Sequence, residues 1–333
     1  MLKNGIIGKN AGMISLDRTD TIDEIYTSDK TTIFRSTQNN TSIIIKTLHK
    51  EYPEPEELSE FKNEYEILKK LNGKGLVRAL GFEKFNSNLA ILFEDIGGTD
   101  LSTLLYQEAF SLQDCLDIMI KATKALAHVH NANIVHRDIK TQNIVLNRKT
   151  GELQIIDFGS ASFLLKQNSF IPMNSSLEGT LAYISPEQTG RMNRTVDYRT
   201  DYYSLGVTFY QLLTKELPFV YSDPMELVHA HLAKVPVSPY TKCRIPKIIS
   251  DITMKLLQKN PEDRYQSAMG IVYDLEWSLK NIVEAYTIMP PQDRDSIIDR
   301  DDFLIAQNDF TTRFQIPEKL YGRSKEKIGR AHV

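Results

Sequence analysis

The hydrophobic pattern changes period once along this chain, and that change limits what it can fold into. Through the first hundred residues, short β-branched and aromatic segments alternate with polar turns. Thr21–Tyr26 and Thr31–Ser36 flank the turn Thr27-Ser28-Asp29-Lys30, the run Ile43-Ile44-Ile45 ends in Lys46, and Leu76–Phe82 and Leu89–Phe93 follow. Segments of this kind predict strands. One helix interrupts them over Glu56–Leu71, where Leu58, Phe61, Tyr65, Leu68 and Leu71 recur at three and four residues before Asn72-Gly73 ends the pattern. Beyond Gly97-Gly98 the period is mostly helical, at Leu112–His130, Asp201–Leu213, Pro224–Ala233, Ile248–Gln258 and Ser267–Val283. Two short apolar strands, Ile144–Leu146 and Leu153–Ile156, lie between the first two of these helices. The expectation is an α+β, bilobal architecture: an N-terminal extension over 1–14, a small β-rich lobe over about 15–95, a larger helical lobe over about 98–285, and a linker over 286–333.

Charge and cysteine content narrow the functional classes. Forty basic side chains against forty-three acidic ones give a net charge of -3. No global positive field exists to collect nucleic acid or an anionic membrane, so an anionic ligand needs a local site. The chain holds no apolar run of the 18 or so residues that a membrane span requires, so no insertion is expected. Met1–Asn10 lacks the basic start and apolar core of a signal peptide. Cys115 and Cys243, the only cysteines, build neither a disulfide framework nor a thiolate zinc site, and a cytoplasmic location is expected.

The densest polar constellation is His136-Arg137-Asp138-Ile139-Lys140-Thr141-Gln142-Asn143, between a helix and a strand. Asp157-Phe158-Gly159, Ser185-Pro186-Glu187 and Asp201-Tyr202-Tyr203-Ser204-Leu205-Gly206 follow in that order. Phosphoryl transfer needs these residue types: a carboxylate to take or orient the hydroxyl proton, hard oxygens for magnesium, and a cation on the phosphates. Asp138 suits the first role, Asn143 and Asp157 the second, and Lys140 the third.

This order of motifs resembles the eukaryotic-type Ser/Thr protein kinase family over roughly residues 15–280. The resemblance implies a protein-kinase-like fold with ATP and Mg2+ as cofactors and a protein substrate. Asp138, Lys140 and Asn143 match the catalytic loop, and Lys46 looks like the β3 lysine, paired with Glu64 of the αC helix. Glu66 is the rival partner on the same helix. Phe93 falls at the gatekeeper position, while Ile33, Ile44 and the hinge residues Glu94 and Ile96 are implied to surround adenine. Asn143 and Asp157 are the implied metal ligands. Thr180 looks like the threonine that contacts Asp138 and Lys140, and Arg264 like the arginine that pairs with Glu187. Glu187, Arg264 and Asp201 read as scaffold, the last holding the catalytic loop by its amides.

Two features depart from the family pattern. The turn Thr27–Ile33 has no glycine where the family places GxGxxG, and Ile44 replaces a small residue facing adenine. Both put nucleotide affinity in question, so two functions stand: an active Ser/Thr kinase, or a pseudokinase acting as an interaction or sensor module. Arg137 beside the catalytic aspartate points to an activation-segment phosphate, with Ser169, Ser175 and Ser176 as candidate sites. Gln188–Arg194, Phe303–Phe310 and Arg313–Arg323 resemble a narrower group, in which the kinase domain precedes a P-loop ATPase, a GAF sensor and often a histidine kinase. In that reading the chain is a fragment of a longer polypeptide. Ile328–Val333 matches the in-frame translation of a common sequencing adapter and is expected to be non-native.

Overall fold

The computed structural model describes residues 21–38, 41–85, 88–164, 181–192, 194–288 and 303–310. Five antiparallel strands carry the first lobe: β1 (Thr21–Thr27), β2 (Thr31–Gln38), β3 (Thr41–Leu48), β4 (Ala79–Phe85) and β5 (Asn88–Glu94), in the order β1-β2-β3-β5-β4. The isoleucine run on β3 is divided by the pleat. Ile43 and Ile45 are fully buried in a small core with Phe85, Ala90 and Leu92. Ile44 and Lys46 take the opposite face, where Ile44 packs against the main core. Across the ladder Ile33 pairs with Lys46 and Ile44 with Phe93, so these four side chains share that face.

Helix α1 (Pro55–Leu68) packs on this face through Phe61, Glu64, Ile67 and Leu68. Pro55 opens it, and the Glu57 carboxylate reaches back to the Glu54 amide at 2.9 Å. It ends three residues before Leu71. The expected strand at Leu76 also starts later, because Val77 donates to the Ile155 carbonyl at 3.0 Å and Ile155 donates to Gly75 at 2.8 Å. That segment crosses to the second lobe before the chain turns into β4.

The second lobe is built on α3 (Leu112–Asn131) and the helix that follows the His136–Asn143 and Asp157–Gly159 segments, α4 (Arg199–Thr214); α2 (Leu101–Gln107) precedes them. Every residue of α4 from Arg199 to Tyr210 is buried, the pattern of a helix packed on all sides. Around it lie α5 (Pro224–Ala233), α6 (Pro239–Lys242), α7 (Lys247–Leu256) and α8 (Ala268–Ile288). β6 (Thr99–Asp100), β8 (Ile144–Asn147) and β9 (Glu152–Ile155) form a sheet beneath the first lobe, and β7 (Ile134–Val135) pairs with β10 (Ser162–Phe163). Among the described residues no helix is long and apolar enough to cross a membrane.

Residues 303–310, which sequence reading placed in a linker, fold back onto α8. Phe303 stacks on Trp277 with ring centroids 3.8 Å apart. The Asp309 carboxylate accepts from the amides of Gln266 (2.6 Å) and Ser267 (2.7 Å), and the Ser267 hydroxyl accepts from Gly270 N at 3.0 Å. A Cβ at Gly270 would come within 2.5 Å of the Asp309 carboxylate, so this docking needs glycine there. Asp274 ties the same segment from the helix side, accepting from Ala306 N at 2.7 Å and from the Tyr265 hydroxyl at 2.5 Å.

Candidate active site

Asp201, at the start of α4, sets the loop that follows β7. It is fully buried, and its Oδ1 accepts from Arg137 N at 2.7 Å while Oδ2 accepts from His136 N at 2.9 Å. His130 Nε2 also lies 2.8 Å from Oδ2. Burial would raise this carboxyl's pKa, but these partners hold it below the usual range, so it stays ionised. Arg137 sits at φ 68, a left-handed conformation unfavourable for a side chain with a Cβ, and the Asp201 bond to its amide holds it there. Gln188 adds a second tie: its Nε2 donates to the Arg137 carbonyl at 2.9 Å, and its Oε1 accepts from Ser185 N.

His136 orders the neighbouring segment. Its Nδ1 accepts from Asp138 N at 3.3 Å, so Nε2 carries the proton and donates to the Ile156 carbonyl at 3.1 Å. Phe158, fully buried, meets the His136 ring edge-on with centroids 4.7 Å apart. Asp157, at φ 62, is thereby turned towards β3.

Two polar clusters result. In the first, Asp138 Oδ2 accepts from Lys140 Nζ at 2.8 Å and from Asn143 Nδ2 at 2.9 Å. Asn143 Nδ2 also donates to the Asp138 carbonyl at 2.8 Å. The other carboxylate oxygen, Asp138 Oδ1, is buried without a hydrogen-bond partner among the described residues. In the second, Lys46 Nζ lies 2.8 Å from Glu64 Oε1, 3.0 Å from Oε2 and 2.8 Å from Asp157 Oδ1. Burial would lower the Lys46 pKa, but Asp157 and Glu64 outweigh it and raise it. Lys46 in turn holds Asp157 well below the usual carboxylate range. Glu66 pairs with Lys69 on the exposed side of α1 instead.

The remaining expected residues divide between scaffold and unseen. Arg264 and Glu187, both fully buried, form a two-point ion pair at 2.6 and 2.7 Å. Burial would raise the Glu187 pKa, and Arg264 lowers it. Ile33, Ile44 and Phe93 line the sheet face above Lys46, with Glu94 and Ile96 following on the hinge. Thr180, Ser169, Ser175 and Ser176 lie outside the described residues. Sequence reading missed Gln188, His130 and the hinge partners Asp95 and Asn147. Gln188 was read only as part of the Gln188–Arg194 resemblance and the others belong to no short motif, while the bonds that give them these roles, from Gln188 to Arg137, His130 to Asp201, Asp95 to Ser42 and Asn147 to Ile96, join residues distant in the chain.

The glycine-free turn is closed by hydroxyls. Ser28 Oγ accepts from Thr31 N at 3.1 Å and Lys30 N at 3.4 Å, and Ser28 N donates to the Thr31 carbonyl at 2.9 Å. These amides, which a glycine-rich loop offers to phosphate, are engaged within the turn.

The donor set fits magnesium. Asn143 commits its amide nitrogen to Asp138, which leaves its carbonyl oxygen for a hard cation, and Asp157 is an ionised carboxylate.

The profile of the protein kinase domain matches residues 29–274. It begins inside the unusual turn and leaves β1 outside. A probable serine/threonine-protein kinase of Clostridium perfringens is 32% identical over 240 residues, which cover 71% of this chain and 34% of that protein. PknB of Mycolicibacterium smegmatis is 32% identical over 187 residues, 56% of this chain and 29% of its own length. Hybrid signal transduction histidine kinase G of Dictyostelium discoideum is 31% identical over 63% of this chain, and the match covers 8% of that protein. The chain thus spans about a third or less of these relatives. With the profile matched across both lobes and the whole catalytic constellation, this chain belongs to the protein kinase domain family.

Proposed function

We propose that the chain is an active serine/threonine protein kinase that transfers the γ-phosphoryl group of ATP to protein hydroxyls in signal transduction. The observation that carries this is Asp138. One carboxylate oxygen is fixed by Lys140 and Asn143, and the other is buried with no partner among the described residues. A buried unpaired carboxylate oxygen is costly unless a ligand uses it. A substrate hydroxyl donating there is oriented for attack on the γ-phosphorus. As the new P–O bond forms, the bond to the β-phosphate oxygen breaks and ADP leaves. The hydroxyl proton passes to Asp138. Lys140 offsets charge on the transferring group, and Lys46, positioned by Glu64, holds the ATP phosphates. Asn143 and Asp157 would hold magnesium, which neutralises phosphate charge when bound. The serine/threonine preference rests on Lys140 and on the names of the relatives.

The Dictyostelium match supports a wider reading, in which this kinase domain is one part of a larger signal-transduction polypeptide that also carries a histidine-kinase unit.

Asp138→Asn tests the catalytic reading. Phosphate transfer to a protein acceptor should fall by a factor of about a hundred or more, the contribution of a positioned base. The melting temperature should hardly move, because the change is nearly isosteric. Retained transfer in the variant would overturn the role given to Asp138, and a wild-type chain that transfers no phosphate would leave the pseudokinase alternative standing.

A further inference from the structure

The hinge from Glu94 to Gly98 is held from both lobes by side chains that no motif contains. From the first lobe, Asp95 Oδ2 accepts from Ser42 Oγ at 2.6 Å and Arg35 Nε at 2.7 Å, and Oδ1 accepts from Gly97 N at 2.8 Å. Its side chain is 5% exposed. Burial would raise its pKa, but Ser42, the Gly97 amide and Arg35 lower it, so the carboxylate remains charged.

From the second lobe, Asn147 closes β8. Its Oδ1 accepts from Lys149 N at 2.9 Å and Thr150 N at 3.2 Å. Those two amides fix which end of the side chain is oxygen, so Nδ2 faces the hinge and donates to the Ile96 carbonyl at 2.6 Å. Beside it the backbone lies flush on β8: a Cβ at Gly98 would come 2.6 Å from Val145 Cγ1 and 3.0 Å from the Leu146 carbonyl carbon. The Ile96 amide has no backbone partner among the described residues.

We infer that Asn147 and Asp95 are positioning residues that hold the hinge peptide rigid, with the Ile96 amide aimed for a purine before the nucleotide arrives. This rests on the nucleotide-binding reading above. Groups ordered in advance bind without a further entropy cost. The need is specific to this chain, because the Ser28 turn engages amides that would otherwise hold phosphate. Affinity then depends more on the adenine end.

Asn147→Asp separates the two ends of the side chain. It keeps an oxygen for the Lys149 and Thr150 amides, so the turn after β8 stays closed. Its second oxygen meets the Ile96 carbonyl and repels it. Both KM for ATP and the Kd of Mg-ATP, read by ligand-induced thermal shift, should rise about tenfold, with kcat at saturating ATP within about twofold. Arg35→Met, at the half-exposed end of the other anchor, should raise KM about threefold and decides the matter if Asn147→Asp does not fold. A merely structural role would lower kcat and melting temperature together and leave KM unchanged, and that result overturns the inference. Unchanged KM and Kd in both variants overturn it as well, while wild-type binding keeps the nucleotide reading intact. A wild-type chain that binds no Mg-ATP overturns both.

Discussion

Ser28 and His231 show how single side chains tune this molecule. Ser28 substitutes for glycine by a different chemistry: its hydroxyl binds the amides of Lys30 and Thr31 and makes the turn self-sufficient. Ser28→Gly removes that acceptor and restores flexibility. KM for ATP should fall about threefold, the effect of one or two amides regained for phosphate, as steady-state kinetics at varied ATP would reveal. An unchanged KM would mean that the turn stays clear of the phosphates. His231, fully buried on α5, has Nδ1 3.0 Å from the Tyr203 hydroxyl and its ring edge-on to Phe219. Burial, and then the nearby Lys259, lower its pKa from 6.5 to about 3. The unfolded chain therefore binds a proton below pH 6.5 that the folded chain refuses. Stability from this group is whole above that pH and declines as the pH falls, by up to about 1.4 kcal/mol per unit. Unfolding free energies from pH 7 to 5 should show this slope, and His231→Phe should flatten it whatever its effect on the absolute value.

At the scale of elements, periodicity identified those with a one-sided face and enough length to repeat it. Helix α3 could be read from Leu116, Met119, Ala122, Leu126 and Val129 because each is buried on one side. Helix α2, seven residues long, was invisible: only two of its residues, Leu101 and Leu104, are buried, and its start depends on Asp100 accepting from Thr103 N. The catalytic motifs could be read because phosphate chemistry demands their residue types at short range. The hinge clamp and the docking of residues 303–310 could not, because each joins segments tens of residues apart by bonds that many residue pairs could make. Asp309 is the clearest case, since it anchors the start of α8 across more than forty residues. Asp309→Ala leaves the Gln266 and Ser267 amides without their acceptor and should cost about 1–2 kcal/mol, the range for a lost helix cap. Differential scanning calorimetry should register a melting temperature lower by several degrees, while KM for ATP stays put. No shift would mean that the docked segment contributes nothing to the lobe it covers.

At the scale of the whole molecule, the two lobes already meet, among the described residues, in the contacts that the proposed phosphoryl transfer would use. Lys46 reaches Glu64 on α1 and Asp157 from the second lobe, Phe158 is packed under His136, and Asp201 fixes the loop between them. Arg137 Nε is buried with no hydrogen-bond partner among the described residues, and burial lowers the pKa of its guanidinium despite Asp201. A partly buried guanidinium in this state gains from an anion more than an exposed one does, because little water screens the pair. The segment Ser160–Thr180, which follows Asp157-Phe158-Gly159 in the sequence, carries Ser169, Ser175 and Ser176, and a phosphate on one of them would be the anion that Arg137 calls for. Incubation with Mg-ATP followed by peptide mass spectrometry should find phosphate within this segment. The phosphorylated protein should be the more active form, and Arg137→Ala should abolish the difference while preserving the basal rate of the unphosphorylated chain to within about threefold. Phosphate found only elsewhere, or activation that survives Arg137→Ala, would show that the charge of Arg137 is balanced in some other way.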